Sequence, residues 1–190
     1  MQSSLRILGA TDNDMILLVD DADLPLGTAP KLDAHRRGLQ HRAVSALVRD
    51  PRGLMLLQRR ASGKYHSEGL WTNACCSHPR PGESNQDAVS RRLFEEMGVL
   101  CELQPLFTAH YRAAVSNDLI ENELVHVFGG TFDVRIDGTV APDPDEVSDW
   151  KWMRFEELMA DHAANPEHYS VWFNHYLRNH GDAIAKWVQP

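Results

Sequence analysis

One capped helical segment lies between two groups of strand-like segments, and that order constrains the fold more than any other feature. Ser84 is a side-chain N-cap with Asp87 three residues on. Ala88, Leu93 and Met97 form an apolar stripe, and Gly98 stands where a helix C-cap belongs, so a helix is predicted over Asn85–Met97. Before it, Met15–Val19 reads as a strand and Ala29–His35 as one or two helical turns. Arg42–Arg49 and Leu54–Gln58 read as a hairpin about the turn Asp50-Pro51-Arg52-Gly53. The polar, glycine-containing stretch Arg59–Leu70 reads as a loop. After the helix, Leu103–Ala114 and Leu119–Val134 predict two long strands around Ser116-Asn117-Asp118, and Val147–Met153 a shorter one. Phe155–His162, Pro166–Asn179 and Ala183–Val188 close the chain as helices, with Pro166 in the first turn of its own. Strands, one helix, more strands and then helices predict an α+β fold, a mixed β-sheet core with covering helices. The 190 residues fit a single domain, 1–190, with a full core.

Composition narrows the function classes. At 43% hydrophobic and 24% charged residues the chain is globular rather than disordered. No charged start is followed by a long apolar run, and no stretch reaches the length of a membrane span, which predicts a soluble, cytoplasmic protein with no membrane partner. The net charge of −8 argues against a nucleic-acid partner and requires any anionic substrate to be met by local cations or metal ions. Cys75, Cys76 and Cys101 cannot all pair, and adjacent cysteines are no disulfide framework, so a reducing compartment is expected. The oligomeric state is unknown from the sequence.

Two short stretches carry chemistry. In Trp71-Thr72-Asn73-Ala74-Cys75-Cys76-Ser77-His78-Pro79 a thiol precedes an imidazole by two residues. In Glu121-Asn122-Glu123 the i,i+2 spacing puts both carboxylates on one face of a strand. Ile120, Leu124 and Val127 around them predict a packed strand, where paired carboxylates are costly without a metal or a proton. A thiol and a carboxylate supply one proton donor and one acceptor, and the imidazoles and carboxylates can hold a metal. On the helix, Arg91–Glu95 and Arg92–Glu96 are i,i+4 pairs that by themselves describe a salt-bridged face.

Glu83, Arg91 and the run Glu95-Glu96-Met97-Gly98-Val99 resemble the Nudix signature, over a box at 77–99. The match departs in two places: the opening Gly falls on Ser77, and the Glu after the Arg falls on Arg92. That exchange removes a metal ligand and adds a cation, which suits holding a diphosphate better than breaking it. Lys31, His35 and His41, then Arg60 and Lys64, then the Trp71–Pro79 segment, Tyr111 and Glu121-Asn122-Glu123 follow in an order similar to the type 1 isopentenyl-diphosphate isomerases, a Nudix-fold family. The likeness runs from about Lys31 to Trp172. It implies that His35, His41, His78, Glu121 and Glu123 bind one divalent ion, Mn²⁺ or Zn²⁺ given so much nitrogen. Glu96, helped by the main-chain carbonyl of Cys76, would hold a second ion, Mg²⁺, against the substrate diphosphate. Lys31, Arg60, Lys64 and Arg92 would be the cations around that diphosphate. His35 and His41 are six apart, one residue closer than the family's spacing. The segment from Lys31 to His41, polar and short of core residues, is expected to order around metal and substrate.

The implied reaction interconverts isopentenyl and dimethylallyl diphosphate through a tertiary carbocation, in isoprenoid biosynthesis. Cys76 and Glu123 would act on opposite faces of the alkene, Glu123 with Tyr111 as the acid side and Cys76 as the base for the forward direction. Trp172 and Trp71 would present π faces to the cation. Cys75 is taken as a packing neighbour, and His66, His110, His126, His162, His168, His175 and His180 receive no role. The alternatives are a Nudix pyrophosphohydrolase, a non-catalytic module that binds a diphosphate, and a structural zinc site from Cys75, Cys76 and His78. The last lacks a second Cys/His pair nearby.

Overall fold

The computed structural model describes residues 14–189. The expectation of one domain over 1–190 therefore extends to residues 1–13 and 190, which lie outside the described residues. The elements in order are β1 (Met15–Val19), β2 (Pro25–Pro30), α1 (Lys31–Arg37), β3 (His41–Arg49), β4 (Met55–Arg60), β5 (Trp71–Thr72), β6 (Cys75–Ser77) and α2 (Asn85–Met97). They continue with β7 (Leu103–Val115), β8 (Leu119–Thr131), β9 (Val147–Met153), α3 (Phe155–Ala164), a 3₁₀ turn (Pro166–His168), α4 (Val171–Asn179) and α5 (Gly181–Val188).

β3 is the spine. It pairs in parallel with β8 from His41 opposite Glu123 to Arg49 opposite Thr131, and antiparallel with β6. Its residues alternate between two apolar layers. Ala43 and Leu47 pack with Val125, Val127 and the helices α3–α5, while Val44, Ala46 and Val48 pack against Ala88, Val89, Leu93 and Met97 of α2. A sheet covered on both faces explains why β3 reads as an almost unbroken apolar run. Full burial of a side chain such as Leu93 or Met97 contributes about 1.5–3 kcal/mol, which fixes α2 on its face.

Four expectations need correction. Arg42–Arg49 and Leu54–Gln58 do not form an extended hairpin: only Arg49 and Met55 pair, because β6 and β8 occupy the edges of β3 and β4 pairs instead with β9 and β5. Helix α4 begins at Val171, not Pro166, because Tyr169 and Ser170 are extended and the Ser170 N–H donates to the Trp71 carbonyl. The Lys31–His41 segment is not short of core: α1 buries Leu32, Ala34 and His35. β8 ends at Thr131, where Asp133 turns the chain by accepting from Arg135 N. The tip of the β7–β8 hairpin has Asn117 and Asp118 at φ 64° and 56°, the left-handed region these two residue types tolerate.

Candidate active site

β8 is the floor of the site. Glu121 and Glu123 point to the same buried face and are each 2% exposed. The neighbouring strands bring the partners by register: β3 sets His41 opposite Glu123, and β7 sets Tyr111 opposite Glu123. The Tyr111 hydroxyl donates to Glu123 Oε2 at 2.6 Å. Helix α1 supplies His35 from above. β6 supplies Cys76, registered with Ser45, and the chain leaving β6 supplies His78. Asn73 pins that strand by donating to Ser45 Oγ, Ala46 O and Cys75 O at 2.6–2.9 Å.

The histidines are oriented as metal ligands are. His35 Nδ1 donates to Lys31 O at 2.7 Å and His41 Nδ1 to Leu39 O at 2.8 Å, which turns both Nε2 atoms toward the carboxylates. His35 Nε2 is 3.5 Å from Glu121 Oε2, and His41 Nε2 is 3.4 Å from Glu123 Oε1, at or beyond the long end of hydrogen bonding. Both Nε2 atoms and Glu121 Oε2 are buried without a hydrogen-bond partner. A buried convergence of unsatisfied nitrogens and carboxylate oxygens is costly unless a cation fills it, so these residues fit a divalent metal ion. Ligand atoms of His35, His41, His78 and Glu123 lie within 4.8 Å of one another, as do those of His35, His66 and Glu121. Between His35 and His41 the chain turns at Gly38 (φ 61°), where a side chain would also crowd Ile120 at 3.1 Å.

The electrostatics agree. Burial pushes His78 down to about 3, leaving a neutral ring. Burial would raise both carboxyls, but His35 and His66 bring Glu121 well below the usual carboxylate range, and His41 and His78 lower Glu123. The Cys76 thiol is raised well above its ordinary value, by burial first and then by Glu123 and Glu121. In this state the thiol holds the proton and the carboxylate holds none.

A rim of cations borders this centre. Burial, reinforced by Lys64 and Arg92, brings Lys31 down to about 8. Arg60 is buried over the Trp172 ring, 5.1 Å from its centroid. Lys31 and Arg60 have no carboxylate within ion-pair distance among the described residues, whereas Lys64 pairs with Glu146 and Arg92 with Glu95, Glu96 and Glu146. Glu96 is held at both oxygens, by Arg92 at 2.8 Å and Gln58 at 2.9 Å. The helix pairs Arg91–Glu95 and Arg92–Glu96 both form, and Arg91 also grips Glu83 at 2.6 and 2.8 Å.

Cys76, Glu123, His78, Lys31, Arg92 and Trp172 line one inner cavity of about 40 Å³, room for a water. Lys31, Ser77, His78 and Arg92 also line an adjoining cleft of about 400 Å³ that includes Arg80 and Arg91. Trp71 does not line this cavity: it is half-buried against the core that holds Tyr169 and Trp172, and Lys151 Nζ lies 4.1 Å from its ring centroid. Sequence reasoning missed Gln58, Tyr65, His66, Glu146 and Tyr176. Only Tyr65 and His66 carried a local hint, as neighbours of Lys64. Tyr176 is fully buried; its hydroxyl faces Cys76 and Ser45 and completes a hydrogen bond with neither.

Comparison with known proteins agrees with this geometry. Residues 39–173 match the NUDIX domain. A protein of Burkholderia multivorans named isopentenyl-diphosphate Delta-isomerase is 49% identical, over 92% of this chain and 98% of its own length. One of Aromatoleum aromaticum named isopentenyl-diphosphate Delta-isomerase 2 is 51% identical, over 84% of this chain and 82% of its own. Among solved structures, a Deinococcus radiodurans protein superposes with a TM-score of 0.64 at 20% identity, over 79% of this chain and 89% of its own. A MutT protein from Methanosarcina mazei does so with 0.57 at 19%, over 78% and 92%. The last two speak for the fold alone, a mixed sheet between helices. With its NUDIX domain and isomerase relatives that match over most of its length, this chain belongs to the isopentenyl-diphosphate Delta-isomerase family of the Nudix superfamily.

Proposed function

We propose that the chain interconverts isopentenyl and dimethylallyl diphosphate, with Cys76 and Glu123 as the two proton-transfer groups. The observation that carries this is the convergence of a protonated thiol, a Tyr111-held carboxylate and a histidine cluster on a cavity bordered by cations. Lys31, Arg60, Lys64 and Arg92 would hold the diphosphate in the adjoining cleft and lay the five-carbon tail into the inner cavity, which must widen to admit it. Fixing the remote anion orients the alkene between the two groups. One group adds a proton to the terminal methylene carbon and the other removes a proton from C2; the electron pair of the broken C–H bond becomes the new double bond. The resting charges put the proton on Cys76 and the free lone pair on Glu123. The forward assignment keeps Glu123, with Tyr111, as the acid side and Cys76 as the base, and these resting charges correspond to a start from the dimethylallyl side. Trp172 supplies a π face to the intermediate cation and, with Tyr65, excludes the water that would trap it as an alcohol.

His35, His41, His78, Glu121 and Glu123 would hold Mn²⁺ or Zn²⁺, and Glu96 with the Cys76 carbonyl would hold Mg²⁺ at the diphosphate. When bound, such ions supply charge neutralisation for the substrate and lower the proton affinity of the carboxylates. The residues act as one domain in which the box at 77–99 forms the diphosphate side. Three free cysteines fit the reducing cytoplasm, and no helix among the described residues is long and apolar enough to cross a membrane.

The test is turnover of isopentenyl diphosphate in D₂O with Mg²⁺ and Mn²⁺, beside Cys76→Ala. Deuterium in the dimethylallyl product, absent with the variant, supports the proposal. Release of inorganic phosphate or diphosphate without that product would instead support a pyrophosphohydrolase, and binding without turnover a module.

A further inference from the structure

His66 lies outside the ligand set set out above, yet it is 3% exposed and its Nε2 is 2.7 Å from Glu121 Oε1. The two oxygens of Glu121 are thus differentiated: Oε1 meets His66, while Oε2 faces His35 with no hydrogen-bond partner. A carboxylate only accepts, so with no cation between the two atoms the contact places the proton on Nε2. The other ring nitrogen, Nδ1, faces Ser67 Oγ at 3.1 Å. The approach to Oε1 is short but bent rather than aligned as a hydrogen bond. The backbone that carries the ring is itself secured. Arg60 donates to His66 O at 3.1 Å, Ser116 Oγ accepts from Ser67 N at 3.2 Å, and Asn117 donates to Tyr65 O at 2.7 Å. Ser67 sits at φ 53°, a left-handed conformation costly for a residue with a Cβ, which the surrounding contacts hold.

We infer that His66 is a positioning residue of the metal centre: its Nε2–H restrains Glu121 Oε1 so that Oε2 is presented to the cation on the side of His35. The inference rests on the metal site proposed above. A packing role alone would require only an aromatic ring against Tyr65 and Trp172, whose centroids are 4.3 and 5.9 Å from that of His66. A role as a ligand would leave Nε2 beside Glu121 but without its proton, with both atoms on the same ion.

Two variants separate these roles, with Mn²⁺ titrated into the metal-free full-length protein. His66→Phe keeps a ring and loses the N–H; His66→Gln loses the ring and keeps an N–H near the Nε2 position. The expected result is Mn²⁺ binding weakened by about 10- to 100-fold in His66→Phe and by less than about threefold in His66→Gln. Spin-echo spectra should show the same number of coordinated imidazoles in the wild type and His66→Gln. Tight binding by His66→Phe with weak binding by His66→Gln would overturn the inference in favour of packing. Loss of one coordinated imidazole in His66→Gln would overturn it in favour of a ligand. Wild-type protein that binds no Mn²⁺ would remove the metal-site proposal itself, a failure distinct from both.

Discussion

Replacing Tyr111 by Phe removes a single oxygen atom and tests the proposed acid–base pair directly. The ring is 7% exposed and packs with Val125 and Trp172, so Phe retains the packing. What is lost is the 2.6 Å bond to Glu123 Oε2. Oε1 keeps its contacts with His78 at 2.9 Å and His41 at 3.4 Å, so the carboxylate stays in place while Oε2 loses that donor. A hydrogen bond to a charged group contributes about 1.5–3 kcal/mol. If that bond acts while the proton moves, kcat falls about tenfold to about 150-fold. The Tyr111 hydroxyl bonds Glu123 and none of Lys31, Arg60, Lys64 or Arg92, the cations proposed to hold the diphosphate, so KM should change by less than about threefold, the pattern of an interaction used in the transition state. Steady-state kinetics of isopentenyl diphosphate turnover, with deuterium incorporation from D₂O, measures both constants. An unchanged kcat would show that the Tyr111 hydroxyl does not serve Glu123. A rise in KM at constant kcat would place Tyr111 with substrate binding instead.

Arg92→Glu restores the residue that the Nudix signature carries at this place and sets four carboxylates together with Glu95, Glu96 and Glu146; KM should rise about tenfold to about 100-fold, with no phosphate release. An unchanged KM would refute the assignment of Arg92 to the diphosphate. Ser84→Ala removes the cap in which Ser84 Oγ accepts from Asp87 N at 3.1 Å, and should cost about 1 kcal/mol, or about 2–4 °C in Tm by calorimetry. The Glu83 carboxyl is lowered mainly by Arg91, so its share of stability is full above the ordinary carboxylate range and is lost as pH falls through the lower folded value. In acid denaturation, Glu83→Gln should flatten the fall in stability below about pH 4.3, and an unchanged slope would assign that fall to other carboxyls.

Helix α2 was legible to the residue because its signals are local: Ser84 and Gly98 bound it, and its apolar stripe repeats at helical spacing. Strands β1, β7, β8 and β9 were legible from apolar runs and alternation, and the thiol, imidazole and carboxylate motifs because each lies within a few residues. The sequence by itself thus determined the element order, the family likeness and most of the groups that border the cavity. Tertiary structure decided what depends on distant pairing. The parallel contact of β3 with β8 draws His41 to Glu123 across 82 positions of chain and, with β6, denies β4 a hairpin with β3. Trp71, on β5, is absent from the lining of the cavity that its place in the motif implied. Glu146 reached Lys64, and His66 reached Glu121, through contacts that no local spacing encodes. A side chain's neighbours along the chain are set by covalent spacing and backbone period, whereas its neighbours across a sheet are set by which strand wins each edge, and that competition is settled only when the whole core packs.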